Sequence, residues 1–328
     1  MSDGETVYLE TRGDGYMRRV GGVSVIERRA RELAKAGVAR VVVLAPAAPL
    51  ERAVPIALEF RPDARVPAGA RVERADVIAG IEIADEESRR RAEWKLIRGM
   101  NKSFEGPVDA LINWRFSMRI TRALAQRALA LTPNHVTITA ILVGLCASWC
   151  AWHGGYIWLA LAGVLLELNS ILDSCDGELA RLRFQYSKLG QWLDNLSDDV
   201  VDNVFLIAVG HALGGVWAWL GLGAALGRVL VSVTTYVAVY RRTGTGDVFA
   251  FRWWFESDKA TADDVYDPKA ITTWLRSFGR RDTFVFLWMV ACVAGFPYWV
   301  VAHGAVIAAV NVSLLVLQLT VYRRKLPA

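Results

Sequence analysis

The sequence predicts a polytopic α-helical membrane protein, with six transmembrane helices that follow a small N-terminal cytosolic α/β domain. Of the 328 residues, 54% are hydrophobic, and the mean hydropathy of +0.28 exceeds that of an ordinary soluble domain. Apolar runs long enough to approach the ~30 Å hydrocarbon core of a bilayer begin only at Asn134. Before that point the chain is rich in charged residues, above all Arg. This change in composition marks two domains.

The net charge of +5 does not indicate a nucleic-acid partner, because Lys and Arg are not gathered into one tract. Anionic membrane lipids are the favoured partner of this charge. Four cysteines lie in or beside apolar segments without CxxC spacing, so they indicate neither a disulfide scaffold nor a zinc site. The first residues contain no basic region followed by an apolar run, so we predict no signal peptide and a cytosolic N-terminus.

The N-terminal part, residues 1–105, has the pattern of a cytosolic α/β domain. Residues 5–45 predict a strand, a helix over 25–36 that Gly37 ends, and a second strand over 40–44. Charged residues dominate the predicted helix over 84–101, which indicates a helix that faces solvent.

Residues 106–131 are predicted to be a linker with an amphipathic helix on the membrane surface. In the range 112–131, apolar residues alternate with arginines at near-helical spacing. The alternative is that this helix is the last one of the soluble domain. Pro133 breaks the helix, and Asn134 or Thr137 is expected to cap the first transmembrane span.

Residues 132–328 are predicted to form the six-helix membrane domain. Placing the N-terminus in the cytosol leaves the turns near His153, His211 and His303 outside, and these turns contain no Lys or Arg. Basic pairs such as Arg241 and Arg242 then lie inside, as the positive-inside rule requires. The polar segment 243–282 is expected to be a cytosolic loop or an interfacial helix. The predicted spans are 138–152, 156–180, 190–209, 216–240, 283–301 and 305–321.

Four carboxylates in the second and third spans are the strongest functional signal. Asp173 and Asp176 are spaced i and i+3, and Asp194 and Asp198 are spaced i and i+4, so each pair lies on one helix face. The spacer 182–189 is short enough to make the two helices antiparallel neighbours, which brings the pairs together. Carboxylates in a membrane helix cost a few kcal/mol on insertion scales and usually bind ions or substrates. Oxygen ligands favour Mg²⁺, with Mn²⁺ as an alternative.

Two glycines accompany the carboxylates. Gly177 and Gly190 lack a side chain, so a flat ligand or its diphosphate could approach the helix backbones at those points. Close packing of helices through small residues is the alternative interpretation.

The motif made by these residues resembles the signature of the CDP-alcohol phosphotransferase family. Its two halves run from Asp173 to Arg181 and, after eight residues, from Gly190 to Asp198, and every fixed position of D-x-x-D-G-x-x-A-R and G-x-x-x-D-x-x-x-D is matched. The segment 132–137 also resembles the sequence that precedes the first span in that family. The resemblance implies a six-helix, usually homodimeric membrane enzyme whose active site faces the cytosol.

The same resemblance implies an activity and a metal site. The enzyme would transfer a phosphoalcohol group, such as a phosphatidyl group, from a CDP-alcohol to a hydroxyl acceptor and release CMP, in phospholipid or inositol-phosphate biosynthesis. Asp173, Asp176 and Asp194 would hold the metal against the CDP diphosphate. Asp198 would be the general base and would also approach the metal. A carboxylate suits this role because the acceptor hydroxyl must lose a proton as it attacks phosphorus.

The nucleotide pocket is also carried over from the family. Thr137 is expected to contact CDP from the first span. The alternative for Arg181 is that it is an ordinary positive-inside residue. The residues that the resemblance assigns to the pocket are Gly177, Ala180, Arg181 and Gly190.

The N-terminal domain has a resemblance of its own. The segment from Gly21 to Arg28, followed by Ala36-Gly37-Val38, is similar to the nucleotidyltransferase domains of sugar-phosphate cytidylyltransferases. Fusions of such a domain to this membrane family occur in inositol-phosphate metabolism, which favours inositol phosphate as the acceptor. Because the Gly-rich loop and the Lys that follows it are missing, we predict a degenerate and inactive domain.

Arg228 lies well inside the fourth span and needs a partner, for which Glu167 on the second span and a ligand phosphate are the two hypotheses. The cytosolic arginines, Arg281 among them, either bind an acceptor phosphate or only follow the positive-inside rule. Two other functional classes stay open at this point: a six-span ion transporter that uses the carboxylates as its transport site, and an inactive membrane scaffold.

Overall fold

The computed structural model of the protein describes residues 5–100, 107–127, 131–244, 251, 253 and 279–321. The chain divides into two compact units. The first unit contains Met1–Asn101, Arg122–Ala130 and Arg181–Phe184, and the rest of the chain forms the second. Most of the predicted cytosolic segment 243–282 lies outside the described residues.

The first unit is built on a parallel sheet with the strand order β5-β4-β1-β6. Val7 and Leu9 of β1 and Val41 and Val43 of β4 are fully buried, and because each pair is two residues apart, it lies on one face of its strand. Two short antiparallel pairs, β2 with β3 and β7 with β8, complete the strands. The elements are β1 (Thr6–Glu10), β2 (Arg19–Val20), β3 (Val23–Ser24), α1 (Val25–Lys35), β4 (Arg40–Val43), β5 (Ala57–Phe60), β6 (Arg71–Arg74), β7 (Val77–Ile78), β8 (Ile81–Glu82) and α2 (Glu86–Arg98).

Local sequence signals explain where the helices of this unit begin. Ser24 caps α1, because its side chain accepts a hydrogen bond of 3.3 Å from the backbone N–H of Glu27. Asp85 and Ser88 form a capping box at the start of α2. The strand, helix and strand predicted over residues 5–45 are present, and the helix predicted over 84–101 is α2.

The helix that the sequence predicts on the membrane surface consists of a wide π-helical turn over Asp109–Asn113, followed by α3 (Trp114–Gln126). This helix is shared between the units, since residues up to Thr121 belong to the second unit and those from Arg122 to the first. Within the first unit, Arg122 forms an ion pair of 2.8 Å with the fully buried Glu93. Its position relative to a membrane surface stays a prediction.

The second unit is a bundle of long helices. Helix α6 packs against α4 and α7, and α7 packs against α9. Phe205 and Trp288 stack in the core, with ring centroids 6.1 Å apart. The helices are α4 (Pro133–His153), α5 (Tyr156–Arg183), α6 (Lys188–Leu213), α7 (Gly215–Thr243), α8 (Arg281–Val293) and α9 (Tyr298–Thr320).

Among the described residues, four helices are long and apolar enough to cross a membrane: α4, α5, α7 and α9. Helix α6 carries several Asp residues. Helix α8 has 13 residues, which at 1.5 Å per residue gives about 20 Å, less than the hydrocarbon core.

The structure corrects the boundaries predicted for the last two spans. The fifth was predicted over 283–301, but α8 ends at Val293 and α9 begins at Tyr298. Gly295, with a positive φ of 80°, and Pro297 make the turn between them. The turn predicted near His303 is therefore wrong. His303 lies inside α9 and receives a hydrogen bond of 3.2 Å from the indole N–H of Trp288.

The predicted cap of the first span is also corrected. Helix α4 begins at Pro133, and Thr132 is its N-cap residue, with the backbone N–H of Thr132 3.1 Å from Nδ1 of His135. Asn134 and Thr137 lie inside the helix. Proline favours the first helical position because its fixed φ suits a helix and its missing N–H would have no partner there.

Candidate metal centre

Helices α5 and α6 bring three of the four predicted carboxylates together. Asp173, Asp176 and Asp194 each offer one oxygen, and these oxygens lie within 4.8 Å of one another. Asp176 is only 6% exposed. Three carboxylate oxygens on two helices fit a hard cation such as Mg²⁺ or Mn²⁺, which prefers oxygen ligands and keeps further positions for water or substrate phosphate.

Asp176 is oriented by a residue of helix α4. The hydroxyl of Thr137 donates a short hydrogen bond to Oδ2 of Asp176, and Thr137 is 3% exposed. Partners of this kind fix the direction in which a ligating carboxylate points. The contact of Thr137 with CDP stays a prediction.

Arg281 is the site residue whose role the sequence did not reveal. It stands at the start of α8, and its guanidinium donates to Asn169 Oδ1 at 2.8 Å. It also lies 2.8 Å from Asp198 Oδ1 and 3.3 Å from Asp173 Oδ2. Arg281 therefore links Asp198 to the cluster of Asp173, Asp176 and Asp194. Asp198 itself is not one of the three residues whose oxygens converge. The only sequence signal was a basic residue at the edge of an apolar run.

The hypothesis that Arg228 pairs with Glu167 is wrong. Arg228 on α7 forms an ion pair of 3.0 Å with Asp202 on α6, not with Glu167. Asp202, which is 1% exposed, also lies 3.3 Å from Arg281. Helices α6 and α7 pack directly, so a carboxylate on α6 is within reach of Arg228. The guanidinium of Arg228 also lies over the ring of Phe284, 5.1 Å from its centroid.

Replacing Arg228 by Met should destabilise the helix bundle. Removing one member of a buried ion pair leaves the other charge in a poorly solvated place, at a cost of about 3–5 kcal/mol. We expect the lower end of this range, because Arg281 still faces Asp202. The melting temperature in detergent measures the effect. Arg242→Met, at the exposed end of the same helix, is the matched control, and equal melting temperatures for the two variants would refute the assignment.

The remaining residues of the predicted pocket lie along the same two helices. Gly190 is in the first turn of α6, where a Cβ would be 2.8 Å from Ser187 Oγ and 3.1 Å from Asn134 Oδ1. Close packing thus favours glycine at this position. Gly177 and Ala180 lie half-buried on α5, and Arg181 is in its last turn.

Glu178 is a second residue whose role the sequence did not reveal. Its carboxylate is buried and accepts hydrogen bonds of 2.6 Å from the hydroxyls of Ser117 and Thr121 on α3. These hydrogen bonds offset the free-energy cost of burying the charged carboxylate. Helix α3 is therefore joined to the part of α5 that carries Asp173 and Asp176.

A family comparison decides how this cluster is interpreted. The CDP-alcohol phosphatidyltransferase family matches residues 130–310, more than half of the chain and all of the region that holds the carboxylates. The chain belongs to this family. Family membership and the four long apolar helices also make it an integral membrane protein.

Three relatives show how far the similarity extends. A bifunctional IPC transferase and DIPP synthase from Thermococcus kodakarensis is 34% identical over 163 residues, or 49% of this chain and 36% of the relative. The protein of the same name from Aquifex aeolicus is 29% identical over 235 residues, or 70% of this chain and 46% of the relative. An archaetidylinositol phosphate synthase from Pyrococcus horikoshii is 35% identical over 128 residues, or 39% of this chain and 64% of the relative.

The matched part of the chain covers less than half the length of these bifunctional relatives. A match over 70% of this chain does not fit within residues 130–328, so the similarity to the Aquifex protein reaches into the N-terminal part.

Proposed function

We propose that this protein transfers a phosphoalcohol group from a CDP-alcohol to a hydroxyl acceptor and releases CMP. The observation that carries the proposal is the convergence of Asp173, Asp176 and Asp194 beside Asp198 in a membrane protein of the CDP-alcohol phosphatidyltransferase family. Mg²⁺ is the proposed ion, with Mn²⁺ as the alternative, and it would neutralise charge on the diphosphate oxygens when bound.

The chemistry that we assign to the chain is one displacement at phosphorus. The acceptor oxygen attacks the phosphorus that bears the donor alcohol, and the bond from that phosphorus to the bridging diphosphate oxygen breaks. CMP leaves with the electron pair of that bond. Asp198 accepts the proton of the acceptor hydroxyl, a role that demands a carboxylate within hydrogen-bonding distance. Gly177, Ala180, Arg181, Gly190 and Thr137 are proposed to line the nucleotide pocket.

Arg281 is proposed to hold Asp198 in place for that proton transfer. Its guanidinium contacts both Asp198 and Asp173, so it fixes the distance between the general base and this carboxylate of the candidate metal site. A guanidinium is well suited to this, because its donors lie in one rigid plane.

The proposed substrates follow from the relatives. Their names point to inositol-phosphate and lipid chemistry, and we therefore propose a hydroxyl acceptor of the inositol-phosphate type. The donor is a CDP-alcohol, either a lipid or a soluble one. A homodimer of six-span subunits in the cell membrane, with the N-terminus and the site facing the cytosol, is the arrangement that we propose on family grounds.

For the N-terminal domain, residues 1–105, we propose a degenerate, inactive relative of the cytidylyltransferases. The support is the parallel sheet of the first unit and the match to a bifunctional relative that extends into this part of the chain.

Phosphorus NMR of the purified protein in detergent with Mg²⁺ tests the reaction. CDP-diacylglycerol and CDP-inositol serve as donors, each with and without inositol phosphate, glycerol phosphate or inositol. We expect the diphosphate signals to be replaced by those of CMP and of a new phosphodiester, only when a suitable acceptor is present. Hydrolysis without acceptor incorporation would refute a transferase. Unchanged donor in every mixture would favour the transporter or the scaffold instead.

A further inference from the structure

The segment of the first unit that resembles a cytidylyltransferase contacts the chain's own residues 182–184. These residues belong to the same compact unit, and they include the end of α5 and the start of the spacer that separates the two halves of the signature. The turn Gly21-Gly22 lies against them. A Cβ on Gly21 would come within 2.7 Å of the side chain of Leu182.

Both the backbone conformation and the close contacts of this turn require glycine. Gly21 and Gly22 have positive φ values of 62° and 77°, a conformation that other residues rarely adopt. A Cβ on Gly22 would also lie 2.6 Å from the carbonyl oxygen of Ala125 and 2.9 Å from Nε of Arg183. Neighbouring protein atoms therefore leave no room for a side chain on either glycine of the turn.

Buried arginines add directed contacts to the same residues. Arg28 is 1% exposed, and it donates to the carbonyl of Leu182 at 2.7 Å and to that of Val20 at 3.0 Å. Arg52 donates to the carbonyl of Arg183 at 2.7 Å and pairs with the buried Glu27 at 3.0 Å. These arginines satisfy carbonyls at the C-terminal end of α5, which have no partner within the helix.

Arg183 and Phe184 are fixed as well. The fully buried guanidinium of Arg183 donates to the carbonyls of Leu124, Ala125 and Arg127 at 3.1–3.2 Å. Phe184 has a positive φ of 53°. Arg28 lies 5.2 Å from the centroid of its ring.

Arg28 is charged at neutral pH despite its burial. Burial lowers the pKa of Arg28 to about 10, and Glu32 and Glu27 oppose that change. The two hydrogen bonds that Nη2 of Arg28 donates offset part of the cost of burying this charge, and one of them ends on the spacer.

We propose that Gly21, Gly22, Arg28 and Arg52 form a clamp that positions the metal site by fixing residues 182–184. Helix α5 runs from Asp176 to Arg183 without a break, about 10 Å along its axis. Fixing its end, and with it the start of the spacer, fixes how the carboxylates of α5 meet Asp194 on α6. The clamp rests on the proposed function of that site and gives the degenerate domain a positioning role in place of catalysis.

The test measures Mn²⁺ affinity of the full chain in detergent by electron paramagnetic resonance, together with CMP release. Arg28→Leu should weaken Mn²⁺ binding about tenfold, as loss of a group that supports metal ligands does, and Arg28→Lys should recover part of it. The control is Arg74→Leu, which removes an arginine of the same unit that pairs with Asp76 at 2.7 Å, away from the spacer. We expect this control to bind Mn²⁺ like the wild type.

Phe184→Ala is the milder variant if Arg28→Leu does not fold, and it should weaken Mn²⁺ binding in the same direction. Folded variants at Arg28 and Phe184 with wild-type Mn²⁺ affinity would overturn the clamp, as would an equal loss in Arg74→Leu. A wild-type protein that binds Mn²⁺ but releases no CMP from any donor would overturn the proposed function alone, because the comparison of affinities would still decide the clamp.

Discussion

Asp198→Asn should lower acceptor-dependent CMP release by about two to four orders of magnitude, the range that general base catalysis contributes. The amide has nearly the shape of the carboxylate but cannot accept the acceptor's proton. Its oxygen can still face Arg281, which lies 2.8 Å from Asp198 Oδ1, so the fold should survive. The turnover number at saturating donor and acceptor is the measured quantity.

The neighbouring residue supplies the matched control for that substitution. Asp199 follows directly on α6 and accepts a hydrogen bond of 3.2 Å from the hydroxyl of Tyr236. Asp199→Asn removes a similar charge at a similar depth, and we expect it to keep most of the activity. If Asp198→Asn kept more than about a tenth of the wild-type turnover, Asp198 would not be the base.

Asp176→Ala should abolish metal binding and activity together. Of the three converging carboxylates, Asp176 is the most buried, so water cannot easily replace its oxygen. We expect Mn²⁺ affinity to fall by more than about a hundredfold, beyond the range for groups that only support ligands. Calorimetric titration with Mn²⁺ gives the affinity directly.

A graded pair of variants makes that prediction sharper. Thr137→Val removes only the hydroxyl that donates to Asp176, and about a tenfold loss of affinity is expected. Asp282→Asn changes a carboxylate of the same unit that is equally buried but not one of the three, and its affinity should be unchanged. Equal affinities for Asp176→Ala and Asp282→Asn would mean that the metal binds elsewhere.

The carboxylate site could be predicted from the sequence because its geometry is local. Asp173 and Asp176 share a helix face by their spacing, and a short spacer leads to the helix that bears Asp194. The structure brings these three oxygens within 4.8 Å of one another. Helices α4, α5 and α7 were predictable for a similar reason, because long apolar runs and the glycine turns at 154–155 and 214–215 mark where they begin or end.

The ion pairs of the site were not predictable, because they join residues far apart in the chain. Arg281 follows Asp173 and Asp198 by more than eighty residues in the chain, and the sequence gives only a basic residue beside an apolar run. For Arg228, the sequence leaves Glu167 and a ligand phosphate as the two hypotheses. Which carboxylate it meets depends on the packing of α6 on α7, and this packing selects Asp202.

The last turn was misplaced for a different physical reason. Residues from 283 to 321 are nearly all apolar, so hydropathy does not show where α8 gives way to α9. The break is set by Gly295 and Pro297, whose backbone preferences act within a few residues. The sequence predicts a turn near His303, whereas the ring of His303 lies inside the bundle and accepts a hydrogen bond from Trp288.

The contacts of the N-terminal domain explain residues for which the resemblance to cytidylyltransferases gives no role. The Gly21-Gly22 turn and Arg28 match the pattern of a nucleotide-handling domain, and the sequence alone suggests only a lost activity. In the structure the same residues contact Leu182. The glycines and the arginine are therefore explained by packing against the spacer.

The most direct test of the central claim is to locate Mn²⁺ by anomalous scattering in crystals of the protein grown with Mn²⁺ and CDP. The predicted result is a peak about 2 Å from oxygens of Asp173, Asp176 and Asp194, with the CDP diphosphate against the same ion and Asp198 free to reach an acceptor. A peak away from these carboxylates, or CDP bound without contact to the ion, would contradict a metal-dependent phosphotransfer at this site.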